Sequence, residues 1–241
     1  MHSLETMVDR QIRKWELERK QREEAKAKEK KEQLFKPVVT VSRQRGSRGS
    51  YLAKRLAQEL GYEMIHRQII DYIVKDAGVR KRLVESLDER TRSKLELWLE
   101  GILKGRYIGE KDYYNYLFRS VWAMAQHGGV VILGRGANFI LTLQLGFHLR
   151  VVSSLEDRIE NLIKYKKMTR LQAKQEIEEG DKERKDFIRS FFSAEIDDPR
   201  FYDLVINTSF IDIENAVGCV KNAIAAKFEK VNAVLRRKEL E

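Results

Sequence analysis

The segment 42–50 combines the residue types that bind phosphate. It follows a β-branched run at residues 38–41 and precedes a helix-patterned segment that starts at Tyr51. A loop that leads from a strand into a helix presents backbone N–H groups beside the positive end of the helix dipole, which suits an anion. The candidate phosphate-binding residues are Ser42, Arg43, Gln44, Arg45, Gly46, Ser47, Arg48, Gly49 and Ser50.

This loop departs from the nucleotide-binding pattern G-x-x-x-x-G-K-[ST]. With Ser50 at the hydroxyl position, Gly49 takes the place of the lysine, and Arg43 and Arg48 stand where the two glycines would be. The loop arginines can supply positive charge instead, because a guanidinium group binds phosphate oxygens in pairs. The residues alone leave two interpretations open, a phosphate site or a strand-to-helix turn with solvated arginines.

The charge of the chain favours anionic partners. The sequence holds 47 lysine and arginine residues against 37 aspartate and glutamate residues, a formal net charge of +10. It has no run of about 18 apolar residues, and its N-terminus is charged, so we expect a cytoplasmic protein with no membrane partner. The single cysteine, Cys219, lies in an apolar helical pattern, and we expect it to be buried.

Five short apolar runs are predicted as strands, at residues 38–41, 62–65, 130–133, 148–152 and 204–207. Helical patterns separate them. This alternation predicts an α/β fold with a parallel sheet and helices on both sides. Ligands of such sheets bind beyond the carboxyl ends of the strands, where the loops at 42–50, 134–138 and Thr208 would lie.

The first 36 residues form a charged N-terminal extension with eleven basic and eight acidic residues. Leu4, Val8, Ile12 and Trp15 fall on one helical stripe, so we expect a long helix. This helix could pack on the body of the protein, or on a second copy or a partner protein. A nucleic-acid-binding arm is a further alternative, but the near balance of charges makes nucleic acid an unlikely partner.

Three segments, in the same order, resemble the cytidylate kinase-like family of P-loop nucleoside monophosphate kinases. They are residues 41–49, the Gly134–Asn138 turn and the Tyr202–Thr208 segment. The resemblance covers about residues 38–228. It implies a three-layer α/β/α P-loop kinase fold over residues 37–230, preceded by the helix of residues 1–36 and followed by a charged tail at 231–241. Within that fold, residues 80–126 would be a helical acceptor-side region and residues 165–195 the lid.

The resemblance also implies transfer of the γ-phosphoryl group of ATP, with magnesium, to CMP, dCMP or a related nucleotide. The backbone of residues 44–50 would hold the donor phosphates, and the Ser50 hydroxyl would lie near the magnesium. Arg135 and Asn138 would bind the acceptor. Arg135, Lys182, Arg184 and Arg189 are the implied catalytic residues, with Arg158 a weaker candidate. For Asp181 and Asp203 we favour surface or capping roles.

The chain also differs from the family pattern, because His66 stands where an acidic residue commonly follows the second strand. Fewer carboxylates mean weaker organisation of magnesium. Three hypotheses therefore stay open. The protein is an active nucleotide kinase, or a catalytically weak or silent nucleotide-binding regulator that acts through its N-terminal helix, or, least favoured, a nucleic-acid-binding module.

Overall fold

The computed structural model describes residues 3–28, 36–103, 111–141 and 145–238. The chain forms two compact units, one of Met1–Lys36 and Ile65–Gly128 and the other of Pro37–Met64 and Gly129–Glu241. The strands are β1 (Val38–Arg43), β2 (Glu63–His66), β3 (Val130–Leu133), β4 (Gly146–Val152) and β5 (Leu204–Asn207). The α-helices of the described residues are α1 (Leu4–Lys28), α2 (Gly49–Leu60), α3 (Arg67–Lys75), α4 (Ala77–Glu85), α5 (Glu89–Leu103), α6 (Lys111–His127), α7 (Ala137–Ile140), α8 (Leu155–Lys166), α9 (Arg170–Phe192) and α10 (Ile213–Lys238).

The five strands form one sheet in the order β2-β3-β1-β4-β5, with flanking helices. β1 pairs in parallel with β3 and with β4, and β4 pairs in parallel with β5. The predicted α/β fold with a parallel sheet and an N-terminal helix is confirmed. β1 continues two residues further than expected, so Ser42 and Arg43 belong to the strand and only residues 44–48 form the connecting loop.

The apolar core of the second unit lies between this sheet and helices α2 and α10. Val39, Val41 and Leu149 from the strands pack with Leu52 and Val217 from the helices, and all five side chains are buried. Helix α2 ends at Gly61, which takes the left-handed conformation at φ 64° expected of a glycine at that position. This packing fixes the amino end of α2, and therefore the loop before it, relative to the sheet.

In the first unit, the apolar stripe of α1 is covered by its own chain. Val8, Ile12 and Trp15 are buried, and the Trp15 ring stacks on His127 with ring centroids 4.6 Å apart. Asp9 forms an ion pair of 2.7 Å with Arg82 of α4. The expectation that this stripe packs on the body of the protein is met within the first unit.

Other features differ from the sequence analysis. Helix α3 was not predicted, although Ile69, Ile70, Ile73 and Val74 mark one buried face of it. Cys219 is exposed on α10, because the apolar face of that helix turns Ala216, Val217 and Val220 inward instead. The segment 231–238 of the expected tail continues α10. Within the described residues, no helix has the length and apolar character needed to cross a membrane.

Candidate nucleotide site

The loop from Gln44 to Arg48 joins the carboxyl end of β1 to the amino end of α2. It turns through two left-handed residues, Gly46 at φ 83° and Arg48 at φ 57°. A Cβ atom on Gly46 would lie 2.7 Å from the carbonyl oxygen of Arg158, so only glycine fits there without a shift. Arg48 holds a position at which a glycine avoids the steric penalty of the left-handed region.

Two side chains from other segments and one from the loop itself donate hydrogen bonds to the carbonyl groups of this loop. The Asn161 amide donates to the Gly46 carbonyl at 3.0 Å, and the Thr208 hydroxyl donates to the Ser47 carbonyl at 2.9 Å. The buried Ser47 hydroxyl donates to the Gln44 carbonyl at 2.9 Å. These hydrogen bonds within the protein therefore fix the conformation of the loop.

Arg43 connects the loop with the Gly134–Asn138 turn, two of the segments that the sequence analysis places together. Its Nε donates to the Ser50 hydroxyl at 3.4 Å. A Cβ atom on Gly134, which has φ 85°, would lie 2.7 Å from Nη1 of Arg43. Because β1 and β3 are parallel neighbours, with Val41 opposite Leu133, both segments follow strands that end at the same edge of the sheet.

The guanidinium of Arg48 lies between two tyrosine rings. It is 5.2 Å from the ring centroid of Tyr51 and 5.1 Å from that of Tyr165, distances typical of cation–π contacts. Both rings are on exposed side chains. These contacts stabilise the long, charged side chain of Arg48. The residue is left-handed and stands where the nucleotide-binding pattern has a glycine.

Helix α9, within the segment expected to be the lid, contacts the loop through two carboxylates. Glu176 forms an ion pair with the Arg45 side chain, and Asp181 accepts a hydrogen bond of 2.8 Å from the Arg45 backbone N–H. The Asp181 carboxylate also pairs with the guanidinium groups of Arg158 and, at 3.1 Å, of Arg184. Asp181, 21% exposed, therefore contacts the loop directly, whereas the sequence analysis favoured a surface or capping role.

Burial lowers the pKa of Arg184, and the charge of Arg45 lowers it further, while Asp181 raises it. Burial is the largest of these causes, so the lowered pKa reflects desolvation of the guanidinium more than repulsion among the cations. The guanidinium groups of Arg45, Arg158 and Arg184 nevertheless outnumber the two carboxylates of Glu176 and Asp181. A group of cations with a surplus of charge is suited to an anion that carries more than one negative charge.

In the Gly134–Asn138 turn, Arg135 is left-handed at φ 54°, and its guanidinium lies 5.7 Å from the centroid of the Phe187 ring of α9. Asn138 is buried, and its Nδ2 has no hydrogen-bond partner among the described residues. Gly136 is required because a Cβ atom there would lie 2.5 Å from the Phe192 ring. The carboxyl-terminal part of α9 therefore packs on this turn through aromatic rings.

Arg150 is a site residue that the sequence analysis did not single out. It lies on β4, 4% exposed, and donates to the Ser42 hydroxyl at 2.8 Å and to Asp197 at 2.7 Å. Lys185 of α9 contacts the same Asp197 at 3.2 Å. The available signal for its role was an arginine in a mainly apolar predicted strand, since a charged residue is rarely buried without partners.

The other candidate residues lie apart from this cluster. Arg189 forms an exposed ion pair with Glu195 at 2.8 Å, and Lys182 is exposed on α9. Asp203 precedes β5, at the opposite edge of the sheet from the loop, where it accepts the His148 N–H at 2.8 Å and pairs with Lys227 at 2.6 Å. Its role is to hold β4 and α10 together.

The Ser50 hydroxyl is exposed at the first turn of α2. The described residues contain no group of three or more His, Cys, Asp or Glu side chains that could hold a metal ion. Magnesium is usually bound by one or two carboxylates and takes its other ligands from phosphates and water. The Ser50 hydroxyl could supply one oxygen ligand to a magnesium ion that arrives with a nucleotide.

Comparison with known proteins finds solved structures that are similar to this chain and one protein family that matches it. A protein from Eubacterium ventriosum of known structure is 20% identical, with a TM-score of 0.63, and the match covers 79% of this chain and 99% of that one. A shikimate kinase from Bacteroides thetaiotaomicron is 13% identical with a TM-score of 0.45, over 78% of this chain and 98% of that one.

A gluconokinase from Sinorhizobium meliloti is 14% identical with a TM-score of 0.44, over 83% of this chain and 98% of that one. No curated protein matches the sequence. The cytidylate kinase-like family matches residues 38–210, which include β1, the loop at residues 44–48, the Gly134–Asn138 turn, α9 and β5. The chain therefore belongs to the cytidylate kinase-like family.

Proposed function

We propose that this protein transfers the γ-phosphoryl group of ATP to a nucleoside monophosphate, with CMP or dCMP as the first acceptors to test. The observation that carries the proposal is the contact of Arg43 with both the phosphate loop and the Gly134–Asn138 turn. One guanidinium thus lies beside both the loop that we propose for the donor phosphates and the turn that we propose for the acceptor. Phosphoryl transfer depends mainly on such positioning and on neutralisation of charge.

On the donor side, the N–H groups of residues 44–50 and the amino end of α2 would bind the phosphates of ATP. Arg45 and Arg48 belong to this loop and would supply the charge that a lysine supplies in the usual pattern. When bound, magnesium would neutralise phosphate charge, with the Ser50 hydroxyl as its ligand from this chain.

On the acceptor side, Arg135 would hold the monophosphate and the buried amide of Asn138 would donate a hydrogen bond to it. The attacking atom is a phosphate oxygen, which is largely ionised at neutral pH because the second phosphate pKa is about 6. The reaction therefore needs no carboxylate base. Arg158 and Arg184 would stabilise the charge on the group in transfer, and Lys182 and Arg189 would contribute from the exposed side of α9.

The test is ADP formation from ATP and magnesium with a panel of nucleoside monophosphates. We expect at least one acceptor to raise the rate above ATP hydrolysis, and Arg135→Ala to raise the KM for that acceptor at least tenfold. Arg200→Ala is the matched control, because Arg200 is 85% exposed and pairs with Asp198. No acceptor-dependent ADP formation would contradict the proposal.

A second candidate is nucleotide binding without turnover, coupled to a partner protein or a second copy through α1. Two observations favour it. The loop has no lysine. In addition, Asp181 accepts from the Arg45 backbone N–H, and Glu176 pairs with the Arg45 side chain. It predicts that ATP raises the melting temperature while no acceptor supports ADP formation. A melting temperature unchanged by every nucleotide would contradict it.

A further inference from the structure

The Arg45 N–H is one of the donors that the proposed function assigns to the phosphates of ATP. In the structure this N–H donates to Asp181, at 2.8 Å. A hydrogen of this kind serves one strong acceptor at a time. A phosphate oxygen and the Asp181 carboxylate are therefore alternatives at this position.

The cations around Asp181 support the same interpretation of the contact. Arg158 pairs with Asp181, and its Nη1 also reaches the Arg45 carbonyl at 3.4 Å. Arg184 pairs with Asp181 and with the Gly180 carbonyl at 2.8 Å. Two guanidinium groups and one N–H thus meet a single negative charge, whereas a phosphate would offer up to two charges and three oxygens to the same donors.

A second acidic residue one to two turns away on α9 acts in the same direction. Glu176 pairs with the Arg45 side chain, with both side chains 35% exposed. Asp181 and Glu176 together connect one side of α9 to the loop, and the carboxyl-terminal part of α9 packs on the Gly134–Asn138 turn through Phe192.

We infer that α9 is an autoinhibitory latch, in which the Asp181 carboxylate occupies the place of a phosphate oxygen and the donor nucleotide must displace it. The inference rests on the proposed function, because it takes the loop as the donor-phosphate site. Asp181 leaves the Arg45 N–H, and Arg158 and Arg184 transfer from the carboxylate to phosphate. The latch lowers the apparent affinity for ATP by the fraction of molecules in which it is open.

The experiment compares the binding of inorganic tripolyphosphate and of ATP to full-length wild-type protein and to Asp181→Asn by titration calorimetry. Asparagine keeps the size of the side chain but removes the charge that holds Arg158 and Arg184. If the latch is closed in about nine molecules of ten, we expect Asp181→Asn to bind both ligands about tenfold more tightly. Asp186→Asn makes the same charge change at an exposed position of α9 and should change the affinity less than about twofold.

Glu176→Gln is a second variant that tests the latch without touching the Asp181 cluster. Because both side chains of the Arg45–Glu176 pair are 35% exposed, we expect its loss to leave the fold intact. We expect roughly a two- to threefold gain in affinity for tripolyphosphate. Equal or weaker binding by Asp181→Asn and Glu176→Gln, with a wild type that binds, would overturn the latch alone. A wild type and variants that bind neither ligand would overturn the proposed function, and the latch with it.

Discussion

Arg150 and Ser42 face each other across two neighbouring strands, and the arginine donates to the serine hydroxyl at 2.8 Å. The same guanidinium donates to Asp197, which lies beyond the carboxyl end of α9. One buried side chain thus connects β1, the strand that leads into the loop at residues 44–48, with the segment that follows α9. The two terminal nitrogens of the Arg150 guanidinium reach the Ser42 hydroxyl and the Asp197 carboxylate at the same time. A lysine has a single nitrogen and could replace these contacts only in part.

We predict that Arg150→Met lowers the free energy of unfolding by about 2 kcal/mol, because Ser42 and Asp197 lose their shared donor. Arg150→Lys should keep part of this stability, since it retains the charge but lacks the fork. Urea denaturation measures both. The exposed Arg200→Met should shift the unfolding free energy by less than about 0.5 kcal/mol, and an Arg150→Met loss no larger than that would contradict the assignment.

The pH dependence of stability should report on Asp197. Burial by itself raises the pKa of Asp197, but the hydrogen bond from Arg150 and the charge of Lys185 outweigh it, so the pKa is lowered overall. Because the pKa of Asp197 is lowered in the folded state, its ionised carboxylate stabilises the fold above the unfolded-state pKa of about 4. This contribution is lost as the pH falls through the folded-state pKa.

We therefore expect wild-type protein to be more stable than Asp197→Asn at about pH 7 and the difference to shrink below about pH 4. Urea denaturation of the two proteins from about pH 7 to about pH 3 measures it. A stability difference that stays constant over this range would show that the Asp197 charge has no part in the contact.

Gly46 tests the backbone conformation of the loop, and Gly218 serves as the control glycine. Gly46→Ala places a Cβ atom 2.7 Å from the Arg158 carbonyl at φ 83°, so we expect a loss of about 1–3 kcal/mol of stability. Gly218 lies in α10, and a Cβ atom added there would have no heavy atom within 4 Å beyond its own helix and chain neighbours. Gly218→Ala should therefore gain about 0.5–1 kcal/mol through helix propensity. Thermal unfolding of both variants checks the signs, and equal effects would contradict them.

Because the apolar stripe of α1 is buried within one chain, it should stabilise the fold equally at low and high protein concentration. Ile12 is fully buried in the first unit, so Ile12→Ala should cost about 3 kcal/mol, whereas Leu17→Ala, at a side chain 60% exposed, should cost less than about 0.5 kcal/mol. Both melting temperatures should be the same at about 1 μM and at about 50 μM protein, roughly the range over which a dimer of moderate affinity dissociates. A melting temperature that rises with concentration would place the stripe in an interface between copies instead.

Much of the fold could be predicted because its signals are local. Val130–Leu133 is a continuous apolar run after two glycines, and Gly61 marks a helix end through its own backbone preference. Helix α3 was missed because its buried residues, Ile69, Ile70, Ile73 and Val74, occupy only two turns directly after β2. A period of 3.6 residues is hard to distinguish over so short a segment.

The site was predicted less completely, since the decisive contacts join residues that are far apart in the sequence. Arg43, Arg45 and Arg135 could be singled out from the motifs around them. Asp181 accepts a hydrogen bond from the backbone N–H of Arg45, 136 residues earlier in the chain. It lies in a mixed run of charges that resembles a solvated helix face. Only the packing of α8 and α9 beside the loop shows which of those charges point inward.

Thr208 and Asn161 donate hydrogen bonds to the Ser47 and Gly46 carbonyls and thereby hold the loop at residues 44–48 in one conformation. If the proposed function is correct, the loop loses little conformational entropy when a nucleotide binds. The thermal signature of binding should instead come from α9, so calorimetric differences among ligands would measure how far each one moves that helix.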